Sequence, residues 1–500
     1  NATTTITPNT SSGSGHRIGG RRDALGTAVP PTPPRPPPRM PPPPSMSLPM
    51  PFMPPSAAAA AAAGDGGPQL DAAVVDKLGA TCSHLSAGRK ARKTHGGSAG
   101  ASKEMVQSLA CVASHTPHKA DSKSGVTCVA VHSQFPAVAV AASSGGGRGK
   151  AAKQPMSAES GSEGGTMEVI LSGGTDKNVL LTELASGRVL AKLTGHTKKV
   201  TDVAFLAPPT STATADSSGN GEDSSSGSGA SSSGKCNTLV SGSADKTVRV
   251  WTAAAGSADY TDSWVYKEHS SEIHSLCAHP SADYVISIAH DSWHFLDVVH
   301  SQCLQTQTMV SSEEGFTCGS LHPDGIILGT GSDQGMFRIW DIRTRENPNA
   351  LSATANTTAT TAAALSCVAF SENGYLAATG SVEGTVCLWD LRKLVTTQNL
   401  ALGEGSSVSS LAFDSSGVFL AIAGGAGAGA GAGAQQQGTG LQVRVVKDWS
   451  LSVELNGVHT KPIQTVAWTP ASKSPATAAT LVSGGMDRSI KVFQPPSANV

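Results

Sequence analysis

The chain has 500 residues, of which 55 are glycine and 30 proline, while Phe, Trp and Tyr together make up only 4%. Length alone would allow three or four domains, but this linker-like composition leaves core-forming residues concentrated after about residue 105. The formal net charge of −1 gives no bulk attraction to nucleic acid or an anionic bilayer, and no stretch resembles a membrane span or a signal peptide.

Residues 1–68 are rich in Ser, Gly, Pro and Ala and hold too little apolar surface to offset chain entropy, so a disordered low-complexity tail is expected. Fifteen prolines fall between Pro30 and Pro55. The run "PPTPPRPPPRMPPPP" (30–44) favours polyproline II. It reads as a stiff spacer, although Pro34, Pro37 and Arg39 also fit a P-x-x-P-x-R ligand for a proline-binding domain. The segment 69–105 reads as a short helix, "QLDAAVVDKL" (69–78), and a linker holding the basic stretch "GRKARK" (88–93). That stretch suits nuclear import or phosphate contact, and equally a solvated linker.

From residue 106 to 495 one pattern recurs. An alternating apolar strand is followed by small residues, an acidic turn and a second alternating strand that ends in a bulky residue. The leading strands are "VTCVAVH" (126–132), "VTDVAFL" (200–206), "IHSLCAH" (273–279), "FTCGSLH" (316–322), "LSCVAFS" (365–371), "VSSLAFD" (408–414) and "IQTVAWT" (463–469). They start 74, 73, 43, 49, 43 and 55 residues apart. The shortest spacings match a four-stranded propeller blade, and the long ones contain padding at 143–165, 210–235 and 424–438 that fits surface loops. The expected fold is all-β, a seven-bladed propeller. Its last blade borrows a strand from "VQSLACVAS" (106–114) to close the ring, which removes exposed sheet edges. Cys128, Cys318 and Cys367 occupy one place in three leading strands, and none of the nine cysteines forms a C-x-x-C pair. They read as small core residues in a reducing compartment.

The acidic residue sits in a tight turn, where its carboxylate accepts local backbone hydrogen bonds. These segments resemble WD repeats, in which that Asp meets a His of the preceding loop and is linked through a strand hydroxyl to a Trp. "LTGHTKKV" with "SGSADKTVRVW" supplies His196, Ser241, Asp245 and Trp251 for such a structural network. A Ser-His-Asp hydrolase is the rival reading. It would have to recur in worn copies without a nucleophile elbow or oxyanion hole, so no catalytic residue is assigned. Other repeats depart from the pattern: Thr182-Glu183 stands in place of Trp-Asp, Glu383 in place of the turn Asp, and Asp333 is one place early.

No cofactor or metal is expected. "SGGGRGKAA" (144–152) lacks the first glycine and last hydroxyl of a phosphate loop. His269, His274, His279, His290, His294 and His300 follow no zinc spacing. The candidate partner-binding residues are cations at turns. Lys177, Lys246 and Arg488 follow turn aspartates, while Lys198, Lys199 and Lys461 precede leading strands. In WD propellers these two loop classes share a face, so the six are expected to form a basic ring for acidic protein segments or phosphates.

Several phrases are more specific than the repeat itself. "LSGGTDKNVLL", "LAKLTGHTKKVTDVAF", "LHPDGIILGTGS", "AFSENGYLAATG", "LWDLRKL" and "GMDRSIKVF" are similar to the propeller of the pre-mRNA-processing factor 19 family, spliceosome-associated U-box ubiquitin ligases. The similarity runs from about residue 69 to 493 and is weaker over 69–115. It implies a nuclear protein whose propeller recruits spliceosomal core-complex proteins and ubiquitylation substrates, with family roles in splicing, protein ubiquitination and DNA repair. In the family a U-box engages the E2 and a coiled coil tetramerises. Neither pattern is found here, so catalysis is not expected of this chain, which reads as a portion of a longer ligase. RNA contact would be indirect, and no membrane partner is implied. A WD-repeat scaffold or adaptor outside splicing is the alternative.

Overall fold

Among the described residues short alternating segments give 28 strands in seven four-stranded antiparallel sheets. The computed structural model describes residues 70–94, 102–118, 124–136, 166–206, 238–254, 257–309, 313–344, 349–352, 363–402, 406–426, 440–469 and 480–496. The expected tail (1–68), the padding at 143–165 and 210–235 and nearly all of that at 424–438 lie outside these residues.

Each sheet is a blade, with strands a to d numbered from the inside outwards. Blade 2, for example, comprises Val200–Leu206, Thr238–Ser243, Val248–Thr252 and Thr261–Tyr266. The a strands of blades 1 to 7 are Val126–Pro136, Val200–Leu206, Ile273–Ala278, Phe316–Leu321, Leu365–Phe370, Ser406–Phe413 and Ile463–Trp468. Neighbouring a strands touch in chain order, and that of blade 7 touches that of blade 1, so the ring is closed. Closure is sealed by Ala110–His115, which pairs antiparallel with Ile490–Gln494 as the outermost strand of blade 7. The seven-bladed propeller read from the sequence is the observed fold, including the origin of the closing strand.

The core lies between the faces of adjacent blades. Trp293, Phe316 and Trp340 fill the space between blades 3 and 4, and Phe337, Phe370 and Trp389 that between blades 4 and 5. Such aromatic burial contributes several kcal/mol per contact layer, at about 25 cal/mol per Å² of apolar surface.

A second device recurs along the inner wall. Every a strand carries a β-bulge, around its second residue in six blades and around its fourth, Ser409, in the longer strand of blade 6. The extra residue is turned out of the ladder. In four blades it is a hydroxyl that reaches the first residue of the next a strand or its equivalent. Thr127 donates to the Val200 carbonyl at 2.6 Å, Thr317 to Leu365 at 2.6 Å, Ser366 to Val408 at 2.6 Å and Ser409 to Ile463 at 2.7 Å.

Among the described residues two helices precede the ring. α1 (Ala72–Thr94) has 23 residues and continues through the basic stretch that the sequence reading assigned to a linker. Its length has a tertiary cause. Leu78 is fully buried against Tyr284, Phe295, Trp340 and Ile342, with Leu70 and Val74 packed beside it. The Lys77 ammonium lies 2.9 Å from the Asp283 carboxylate, and near the other end Arg89 pairs with Asp324, which also accepts from Ser86. α2 (Lys103–Gln107) is capped by Ser102, whose hydroxyl accepts from the Met105 N–H at 3.2 Å. Val106 and the following Leu109 enter the core shared by blades 6 and 7.

Candidate functional site

In a four-stranded antiparallel meander, the loop from strand d to the next strand a and the turn from b to c lie at the same end. Backbone bonds tie the two together: Thr175 N–H donates to the Gly125 carbonyl, Ala244 N–H to Lys199 and Met486 N–H to Pro462, at 3.0, 3.1 and 3.0 Å. We call this end the upper face. α1 meets a–b and c–d connections through Asp283, Asp324 and Ile342, and therefore lies on the lower face.

In blade 2 a buried chain of donors runs from the core to the upper face. The Trp251 Nε1–H donates to Ser241 Oγ at 2.8 Å, and Ser241 donates to His196 Nε2 at 2.9 Å. His196 Nδ1–H in turn donates to Asp245 at 3.0 Å. This tautomer leaves every member satisfied. Burial holds His196 below the usual imidazole range, against the pull of Asp245. Burial also opposes ionisation of Asp245, but the Thr247 hydroxyl, the Thr197 N–H and His196 outweigh it and bring its pKa to about 2. The pair at neutral pH is thus an imidazole and a carboxylate. Ser241 is wholly buried and no substrate can approach its oxygen.

The same network occurs twice more. In blade 1, Ser172 donates to His118 Nε2 at 3.1 Å and His118 Nδ1–H to Asp176 at 2.9 Å. In blade 7, Ser483 donates to His459 Nε2 at 2.7 Å and His459 Nδ1–H to Asp487 at 3.0 Å. Burial again opposes Asp176 and Asp487, yet their hydrogen bonds to histidine hold both carboxyls far below the usual range. Sequence reasoning singled out only blade 2. The missed signal was "TPH" and "GVHT" paired with "SGGTD" and "SGGMD". The Trp position holds Thr182 in blade 1 and Phe493 in blade 7. Blades 4 and 5 keep only the inner link, Trp340 to Thr330 at 2.8 Å and Trp389 to Thr379 at 3.0 Å.

The turn that follows each networked aspartate places the next residue in the left-handed region: Lys177 at φ 69°, Lys246 at 71° and Arg488 at 71°. In blades 4 and 5 the same slot holds Gly335 (70°) and Gly384 (78°). A left-handed L-residue costs about 1 kcal/mol or more relative to glycine. The networked carboxylate bridges that residue by accepting from the N–H two places on, in Asn178, Thr247 and Ser489. Turn geometry is therefore held by an Asp clamp in blades 7, 1 and 2 and by glycine in blades 4 and 5.

All six candidate cations lie at connections of the upper face, on blades 7, 1 and 2, which are consecutive. They form an arc and not the ring the sequence suggested. Lys198 sits 3.5 Å from Glu272, with both side chains about half exposed, and Lys246 donates to the Ser270 carbonyl. Lys177, Lys199 and Lys461 are exposed and Arg488 half-buried. None of these four has an ion-pair partner among the described residues. The histidines of blade 3 do not gather at one site: His269 stacks on His294 at 3.9 Å and bonds the Ser287 hydroxyl at 2.7 Å, while His279 donates to the Gly325 carbonyl and His300 pairs with Asp297.

Comparison with known proteins agrees with this architecture. A family described as "WD domain, G-beta repeat" matches residues 227–252 and 452–494, and one described as "Nucleolar protein 10-like, N-terminal domain" matches 277–425. Pre-mRNA-processing factor 19 of Oryza sativa is 27% identical over 56% of this chain and 41% of its own length. Homolog 2 of Arabidopsis thaliana is 31% identical over 66% of this chain and 53% of its own. The Bos taurus protein is 34% identical over 65% of this chain and 53% of its own. The chain resembles the propeller portion of these proteins and spans about half the length of the curated relatives it matches. Among the described residues no helix is long and apolar enough to cross a membrane.

Proposed function

We propose that this propeller is the partner-recruiting module of a nuclear pre-mRNA splicing factor that belongs to a ubiquitin-protein ligase. The observation that supports it is the extended similarity to pre-mRNA-processing factor 19 over about two thirds of the chain. In this reading a rigid toroid holds many loops in one plane, and recognition uses those loops while chemistry is done elsewhere. A U-box in the whole ligase brings the charged E2 and a coiled coil assembles four copies. The propeller holds spliceosomal core-complex proteins or ubiquitylation substrates, and the same recruitment serves DNA repair. RNA is reached through those proteins.

The test is capture from nuclear extract on the immobilised, folded chain, with the bound proteins identified by mass spectrometry. Enrichment of spliceosomal proteins over a beads-only control is expected. Recovery of signalling or transport components without spliceosomal ones would replace this reading with that of an adaptor outside splicing.

A further inference from the structure

The upper face is divided by charge. Lys461 and Arg488 of blade 7, Lys177 and Lys199 beside blade 1 and Lys246 of blade 2 occupy one side. Across from them, the corresponding connections of blades 3 to 5 carry Glu268, Glu272, Glu313, Asp333 and Glu383, all exposed or half-exposed, against one exposed lysine, Lys267, among the described residues. The contact between Lys198 and Glu272 marks one boundary.

The cationic side is also the side where backbone strain is retained. Three turns there keep a lysine or arginine in a conformation that glycine adopts freely, and two turns of the other side use glycine. The buried His–Asp–Ser networks under the three strained turns fix their shape, so each cation projects from a rigid base at little entropic cost on binding. The turn carboxylates Asp176, Asp245 and Asp487 point inward to their histidines, which leaves the outward groups positive.

We propose that Lys177, Lys199, Lys246, Lys461 and Arg488 form a docking sector for a short anionic segment of a partner protein, bearing Asp, Glu or phosphoserine groups. The inference rests on the reading of the propeller as a protein-recruiting module. A nucleic acid fits the face poorly. Its continuous phosphate charge would run into the acidic sector, and the exposed rings of the upper face among the described residues, His274 and His290, belong to blade 3 on that acidic side and not to the cationic side.

The experiment is fluorescence anisotropy of the full chain with four labelled probes: a Glu-rich peptide, its phosphoserine counterpart, a Gln counterpart and a single-stranded RNA of matched charge. One or both anionic peptides should bind, with the phosphoserine arm telling phosphate from carboxylate recognition, and binding should weaken with salt. The triple variant Lys177→Gly, Lys246→Gly, Arg488→Gly removes three charges and relieves the left-handed strain. It should melt no lower than the parent and bind at least about tenfold more weakly. The charge-matched triple Lys192→Gln, Lys393→Gln, Lys447→Gln, away from this face, should bind as the parent does. Absence of peptide binding, undiminished binding by the glycine triple, or preference for the RNA would each overturn the proposal. Capture of spliceosomal proteins alongside such a result would leave the recruiting role standing and remove only this sector.

Discussion

The hydroxyl of Thr317, on the bulge of the blade 4 leading strand, lies 2.6 Å from the carbonyl of Leu365, the first residue of the blade 5 leading strand. It is one of four such clasps that join successive blades at the inner wall, where backbone polar groups would otherwise face only the channel. Thr317→Val keeps the shape and removes the donor. It should cost about 1 kcal/mol of unfolding free energy, read as a lower urea midpoint with unchanged slope. An unaltered midpoint would show that the clasp contributes nothing.

His196 is the middle of a chain in which removing one member strands two others. His196→Ala leaves the Ser241 hydroxyl and one Asp245 oxygen short of a partner in a buried site, with a cost of roughly 2–3 kcal/mol. Thermal melting should fall clearly. Unchanged melting together with loss of a measured hydrolytic activity would mean that the triad is catalytic after all.

Among the described residues Asp202 is a carboxylate strongly disfavoured by its surroundings. Burial pushes its pKa up to about 6, although the N–H groups of Leu276 (2.7 Å) and Val203 (2.9 Å) and the Ser275 hydroxyl (3.3 Å) pull the other way. The folded state holds a proton here that the unfolded chain loses near pH 4, so this group's contribution is full below pH 4 and is lost as pH rises through about 6. Asp202→Asn should therefore raise stability at pH 7 by about 1–2 kcal/mol and give no gain at pH 4. Asp245 behaves oppositely. Its contribution is present above about pH 4 and disappears as pH falls towards 2. An Asp202→Asn protein no more stable than the parent at pH 7 would contradict this assignment.

Asp324 holds the C-terminal half of α1 by accepting from Ser86 and pairing with Arg89, whose side chain is only 15% exposed. Asp324→Ala should speed amide exchange in that half by about tenfold or more and leave the Lys77–Asp283 end slower. Equal exchange along the whole helix in both proteins would mean that the ion pair does not anchor it.

The blades were legible because each leading strand alternates and each is followed by a turn with a small-residue prelude. The closing strand was legible because a ring needs a fourth strand for blade 7 and "LACVAS" is the apolar run just upstream. α1 was seen only as far as Leu78. Its remaining residues carry no continuous apolar stripe and become helical by docking Ser86 and Arg89 on a loop more than two hundred residues away in the chain. The six cations were found by their place beside turns, but that they form an arc depends on which blades are neighbours and on the glutamates opposite. The clasps were invisible, since a Thr in a bulge reads as any other strand threonine.

The central claim is that partners are held on the upper face of blades 7, 1 and 2. Carbodiimide coupling, which joins lysine amines directly to carboxylates in contact, tests it on the captured complex. We predict links from Lys177, Lys199 or Lys461 to acidic residues of the partner. Links confined to Lys192, Lys393 or Lys447, with none from the upper-face lysines, would contradict the account.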